Sequence, residues 1–181
     1  MNEAKKIQEA SHFLAQMRQS VMEHEAFQHN LSAFLSASRS ALQYALEEAK
    51  PKSGGQQWYD AAMLSDPVLK FLKDKRDCNI HRAPVTPHPK ITITDTYDLG
   101  QVRDFLTIRV TDKDGNIVSE TECNSPEPER PTTNPESTVE YSFLFDDWSG
   151  TEDCLVLADS YLTSIRSIVA DGVTRSFLSG T

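Results

Sequence analysis

Arg76 and His81 are the two residues of this chain whose types and spacing best fit a chemical role. They lie near the end of a helical pattern, at the point where that pattern breaks. Leu69 and Leu72 begin an apolar stripe that should continue at positions 76 and 79, which hold Arg76 and Asn79 instead. Residues 73–79, KDKRDCN, carry no aliphatic side chain on any face. Burying an unpaired guanidinium is costly, so the head of Arg76 must reach water, a carboxylate or a phosphate. Its planar fork can clamp two phosphate oxygens. Imidazole titrates near neutral pH, so a histidine here can accept or donate a proton. Asp77 or Asn79 could orient either group, and Lys73, Lys75 and Arg82 would add positive charge for a substrate. The inert alternative is equally concrete. Arg76 pairs with Asp60 or another carboxylate across a bundle, and His81 caps the last carbonyls of its helix. Positions five apart on a helix differ by about 140°, so one copy makes a poor two-residue site unless the helix end unwinds.

Residues 65–82, SDPVLKFLKDKRDCNIHR, resemble the signature of the HEPN superfamily, helical domains named from higher eukaryotes and prokaryotes nucleotide-binding. That signature is an Arg, a polar residue, three further residues and a His near the end of a long bundle helix; here these are Arg76, Asp77 and His81. The polar residue is often Asn, and Asp is a variant. Asn79-Ile80-His81 after a Lys-rich turn is also similar to many bacterial members. The resemblance implies metal-independent RNA cleavage, of the toxin or phage-defence type, at a cleft lined by two motifs in a two-fold dimer. Cleavage by a ribose 2′-hydroxyl needs a proton acceptor, a proton donor to the leaving oxygen and a cation against the phosphate charge, which His81 and Arg76 would supply. It equally admits a non-catalytic dimerisation or nucleotide- or protein-binding module. Some toxin members carry, two residues after the His, a Tyr that an antitoxin modifies; Ala83 stands there in this chain, which argues against that mode of regulation.

The elements that must position these residues are read from periodicity. Ile7, Ala10, Leu14, Met17 and Val21 form one helical stripe, and Phe27, Leu31, Phe34, Leu35, Leu42, Ala45 and Leu46 form a second, stopped by Pro51 and Gly54-Gly55. QQWYDAAML predicts a short third helix with Trp58 and Tyr59 as core packing. Ser65-Asp66-Pro67 starts a fourth, with Asp66 as cap and Pro67 at the first helical position. From Lys90 the period becomes two: Ile91 and Ile93, then Leu106, Ile108 and Val110, a DKDG turn at 112–115, Ile117-Val118, and finally Val139, Tyr141, Phe143 and Phe145. A last helix starts near Ser149 or Thr151, with capping-box spacing between Ser149 and Glu152 and a wide apolar face. The expected fold is mainly α: one domain over 1–181, an up-and-down bundle of about five helices from 1–82 and 149–178. A small antiparallel sheet of three or four strands is inserted over 90–146, between helices four and five. The proline-rich stretch 122–137 is expected to be a mobile loop.

Composition limits the alternatives. The chain has 181 residues, 25% charged and 38% hydrophobic, which suits a globular domain. No stretch is apolar enough to span a membrane, and the N-terminus reads as a helix of the domain, so a cytoplasmic protein is expected. The net charge of −9 opposes broad nucleic-acid affinity. Residues 50–90 nonetheless hold 8 basic and 4 acidic side chains, whereas 91–181 hold 6 and 17. The candidate site therefore lies in the basic segment, while the acidic remainder favours a protein partner. Cys78, Cys123 and Cys154 show no metal-ligand or redox spacing. His24 and His29 lack the usual metal-pair spacing, and DKDGN lacks the Glu that closes a calcium loop. No metal and no cofactor is expected.

Overall fold

The computed structural model describes residues 2–95, 105–124 and 137–179. It is mainly α, with five helices: α1 Asn2–Gln19, α2 His24–Ala49, α3 Gly55–Leu64, α4 Pro67–His81 and α5 Cys154–Thr174. Four strands lie between the last two helices: β1 His88–Asp95, β2 Phe105–Thr111, β3 Ile117–Asn124 and β4 Ser137–Leu144. None of these helices is long and apolar enough to cross a membrane.

Two compact units result. One comprises Met1–Ile91 with Tyr141–Thr181, the other Thr92–Glu140. In the first, the helices bury one another's apolar stripes. Leu14 and Met17 of α1, Phe27, Leu31, Phe34 and Leu42 of α2, Leu69 and Leu72 of α4, and Leu157, Leu162 and Ile165 of α5 are all buried in one core. The last strand feeds this core as well. Phe143 stacks on Phe27 with ring centroids 3.8 Å apart, and Phe145 meets Phe71 edge-on at 5.4 Å. The period-two pattern of 139–145 is thus split: Val139 and Tyr141 are exposed, whereas Phe143 and Phe145 are buried.

In the second unit β2 and β3 form an antiparallel hairpin, Ile108 opposite Thr121 and Arg109 opposite Glu120, with a bulge after Val110. Its turn is the DKDG segment. Asp112 Oδ1 accepts from the amides of Asp114 and Asn116, each at 2.9 Å, and Gly115 takes the positive φ of 88° that the turn requires. The strands do not join into the single sheet that their spacing predicts. Among the described residues β1 pairs with β4 and β2 with β3, as two separate two-stranded sheets. A hairpin closes through its own turn, whereas β1 and β4 are the strands by which the chain leaves and rejoins the helices, and no local signal specifies that pairing. Most of the expected mobile loop at 122–137 falls on residues 125–136, outside the described residues.

Helix starts follow local cap chemistry. Asp66 accepts from the amide of Val68 at 2.9 Å, with Pro67 next to it, as expected. Its other oxygen accepts from Ser164 Oγ at 2.5 Å, which ties the start of α4 to α5. The start of α5 differs from expectation. Asp153, not Ser149, is the cap and accepts from Val156 N at 2.8 Å, and the helix begins at Cys154. Glu152 is engaged elsewhere, accepting from the indole of Trp148 at 2.8 Å, so it cannot close a capping box.

Candidate functional site

The polar end of α4 exists because its second half leaves the core. Val68, Leu69 and Leu72 are buried, whereas Lys73 through Asn79 are exposed or half-buried. The helix ends when the amides of Arg82 and Ala83 both turn back to the carbonyl of Cys78, at 2.9 and 3.1 Å. Backbone, not the His81 side chain, thus closes its last turn.

Beside this end runs a groove of about 480 Å³ lined by Asp74, Asp77, Cys78, His81 and Arg82. His81 and Arg82 are exposed at its edge. Arg76 does not line it. Its guanidinium lies on the inner side of α4, with 26% of the side chain exposed, and Nη1 donates to Asp77 Oδ1 at 3.1 Å. Its Nε is buried without any partner. Asp60, the partner that the bundle pattern offered, accepts instead from Gln56 at 2.9 Å. Asp77 is therefore the residue common to both sides, facing the groove while holding Arg76. Burial raises its carboxyl, but the Arg76 hydrogen bond and the nearby Lys73 ammonium outweigh that and leave it below the usual aspartate range. The stability this pair contributes is present above the ordinary aspartate pKa and is lost as pH falls through the lowered one.

The lysines are occupied by carboxylates. Lys73 Nζ is 3.5 Å from Asp77 and 3.8 Å from Asp74. Lys75 reaches Asp147 at 2.6 and 2.8 Å, with its ammonium 5.2 and 5.0 Å from the ring centroids of Phe71 and Phe145. Only 19% of its side chain is exposed, and it fastens α4 to the segment between β4 and α5. Asn79 has a mechanical part. Its Nδ2 donates to Ser32 Oγ of α2 at 2.7 Å, and its Oδ1 accepts from the amide of Val85 at 3.0 Å. It thereby latches the end of α4 to α2 and to the chain that follows. Asn79→Ala breaks both bonds and is expected to cost about 2 kcal/mol. The check is urea unfolding, which should show a lower midpoint at unchanged slope; a variant as stable as the parent would show that the latch does not hold α4.

Three residues that spacing did not single out stand behind Arg76. Arg39 of α2 donates through Nη1 to the hydroxyl of Tyr59 of α3 at 3.1 Å. Tyr161 of α5 is wholly buried, and its hydroxyl has no partner. Arg39, Tyr59, Asp77 and Arg76 all lie within electrostatic reach of that hydroxyl, and burial, the largest influence, pushes its pKa well up, so it is a neutral phenol. A signal for Arg39 did exist: the stripe of α2 skips a turn between Leu35 and Leu42, and Arg39 stands in the gap as Arg76 does on α4. Tyr161 carried none, because a tyrosine in an apolar row reads as core. Of the cysteines, Cys154 is buried, with its thiol pushed up by that burial, and Cys78 is half-buried on the groove. The side chain of Cys123 lies outside the described residues.

No protein-family model, curated protein or solved structure matches this chain. One copy holds an imidazole on an open groove, a guanidinium that does not line it, and a carboxylate that lines the groove and holds the guanidinium.

Proposed function

We propose that this chain is a HEPN-like, metal-independent endoribonuclease of the toxin or phage-defence type, acting in the cytoplasm through Arg76 and His81 at a cleft between two copies. The observation that carries the reading is the exposed His81 on the groove edged by Asp77, with Arg76 anchored on that same Asp77. Because α4 turns the imidazole and guanidinium away from each other, a two-fold pairing of α4 ends is what would set the His81 of one copy against the Arg76 of the other. In the cleft the 2′-hydroxyl of the substrate attacks its own phosphorus. A His81 imidazole takes the 2′-proton, the bond to the 5′-oxygen breaks, and a protonated His81 gives that oxygen a proton, leaving a 2′,3′-cyclic phosphate and a 5′-hydroxyl. Arg76 offsets the charge that builds on the phosphorane oxygens. Arg82, at the groove edge, and Lys73 would add attraction for the strand.

A second reading is a non-catalytic module for dimerisation or for binding a nucleotide, an antitoxin or another protein. It is favoured by the pairing of Arg76 with Asp77 and of Lys75 with Asp147, which leaves fewer cations for RNA. The two separate when the purified chain and its His81→Ala variant are each incubated with RNA in the presence of a chelator. Cleavage that disappears with the imidazole supports the nuclease; intact RNA in both tubes leaves the binding module. Sedimentation of the same preparation reads the dimer, at twice the chain mass of 20.3 kDa.

A further inference from the structure

Hydrogen-bond donors outnumber acceptors in the polar cluster behind Arg76. Its members come from four helices: Arg39 from α2, Tyr59 from α3, Arg76 and Asp77 from α4, and Tyr161 from α5. Tyr59 accepts from Arg39, which leaves the proton of that phenol to donate. The Tyr161 hydroxyl and Arg76 Nε are buried with nothing to donate to. Asp77 is already shared between Arg76 and Lys73, and Asp60, whose charge reaches Tyr59, accepts from Gln56. The carboxylates near the two guanidiniums are thus already engaged, and the Tyr161 hydroxyl and Arg76 Nε have no acceptor. Burial tolerates such donors only when an acceptor is supplied. A group that accepts everywhere and donates nowhere, with negative charge to suit the two guanidiniums, answers the unpartnered donors.

We propose that Arg39, Tyr59, Arg76 and Tyr161 form a binding site for one phosphate oxyanion, either free phosphate or the phosphate group of a nucleotide or RNA strand. The site goes beyond the groove that His81 lines, and it rests on the ribonuclease reading only for the choice of phosphate among oxyanions. Arg39 and Arg76 are half-buried and so open to solvent, whereas Tyr59 and Tyr161 are buried. Phosphate bound there bridges α2 to α4 and α5, and competes with the scissile phosphate for Arg76.

The test uses the full chain without RNA. Thermal unfolding is followed in sodium phosphate, in AMP and in sodium chloride at matched ionic strength. Phosphate is expected to raise the midpoint above chloride, and a larger rise in AMP identifies a nucleotide as the source. Tyr161→Phe removes one unpartnered oxygen and keeps the ring, so it folds; it should weaken the phosphate response about tenfold, as should Arg39→Gln. His81→Ala should leave that response intact. A phosphate response without RNA cleavage would sink only the ribonuclease reading. No response, or an equal one in the parent, Tyr161→Phe and Arg39→Gln, would overturn the oxyanion site whatever RNA cleavage shows.

Discussion

His81→Ala is expected to lower RNA cleavage by roughly 10²–10⁴-fold, the usual worth of a positioned general acid–base group. The size follows from the double use of one imidazole in each cleft, which takes the 2′-proton and then delivers a proton to the 5′-oxygen. The variant should fold as the parent does. His81 is exposed beyond the buried part of α4, and surface changes of this kind stay within about 0.5 kcal/mol. Equal thermal midpoints together with lost cleavage would place the effect in chemistry. Arg76→Ala should also abolish cleavage, but less cleanly, since it strips the half-buried Asp77 of its partner and costs stability too. Mixing the two dead variants gives the sharper result. If each cleft combines Arg76 of one copy with His81 of the other, a mixed dimer contains one intact cleft. Random exchange should then restore about a quarter of the parent's activity. A mixture that stays inactive while cross-dimers form would remove the shared cleft, and parent-level cleavage by His81→Ala would remove His81 from the chemistry.

What was legible in the sequence was what depends on near neighbours. The stripe of α2 and the Asp66-Pro67 start of α4 were readable because helical period and cap chemistry act over a few residues. The same locality explains the misplaced start of α5. Ser149 and Glu152 have the spacing of a cap, but Asp153 competes one turn later, and Trp148 engages Glu152. Pairing β1 with β4 was not legible, because two strands far apart in the chain choose each other through the helices that bring their ends together. The candidate site divides in the same way. Arg76 stood out by breaking an apolar stripe, yet its partner could not be read, since Asp60 and Asp77 were both chemically eligible. The side of α4 on which each group lies was partly legible from the helical turn, and the groove at His81 agrees with that separation. Tyr59 and Tyr161 were hidden for a physical reason: a phenol buries its ring like a core residue, and only three-dimensional packing shows where its hydroxyl ends.

The donors behind Arg76 depend on how closely α3 sits on the end of α2, and two adjacent glycines test that closeness. Gly54 has φ 80°, and a Cβ there would meet only Phe177 Cζ at an ordinary 3.8 Å. Gly54→Ala therefore carries backbone strain alone, about 1–2 kcal/mol. Gly55 opens α3 against the carbonyl of Ala49, and a Cβ there would fall 2.0 Å from that oxygen and 2.7 Å from its carbon. Backbone cannot rotate out of the way as a side chain can. Gly55→Ala must push α3 off α2, at about 3 kcal/mol or more, near the upper range of overpacking. The shift also moves Trp58, whose indole donates to Asp171 at 2.6 Å, and Tyr59, which receives the Arg39 guanidinium. Urea unfolding should thus rank Gly55→Ala well below Gly54→Ala. Under conditions where both remain folded, only the former should lose the midpoint rise in phosphate. If Gly55→Ala proved no less stable than Gly54→Ala, the close seating of α3 would be wrong, and with it the placement of Tyr59 beside Arg39.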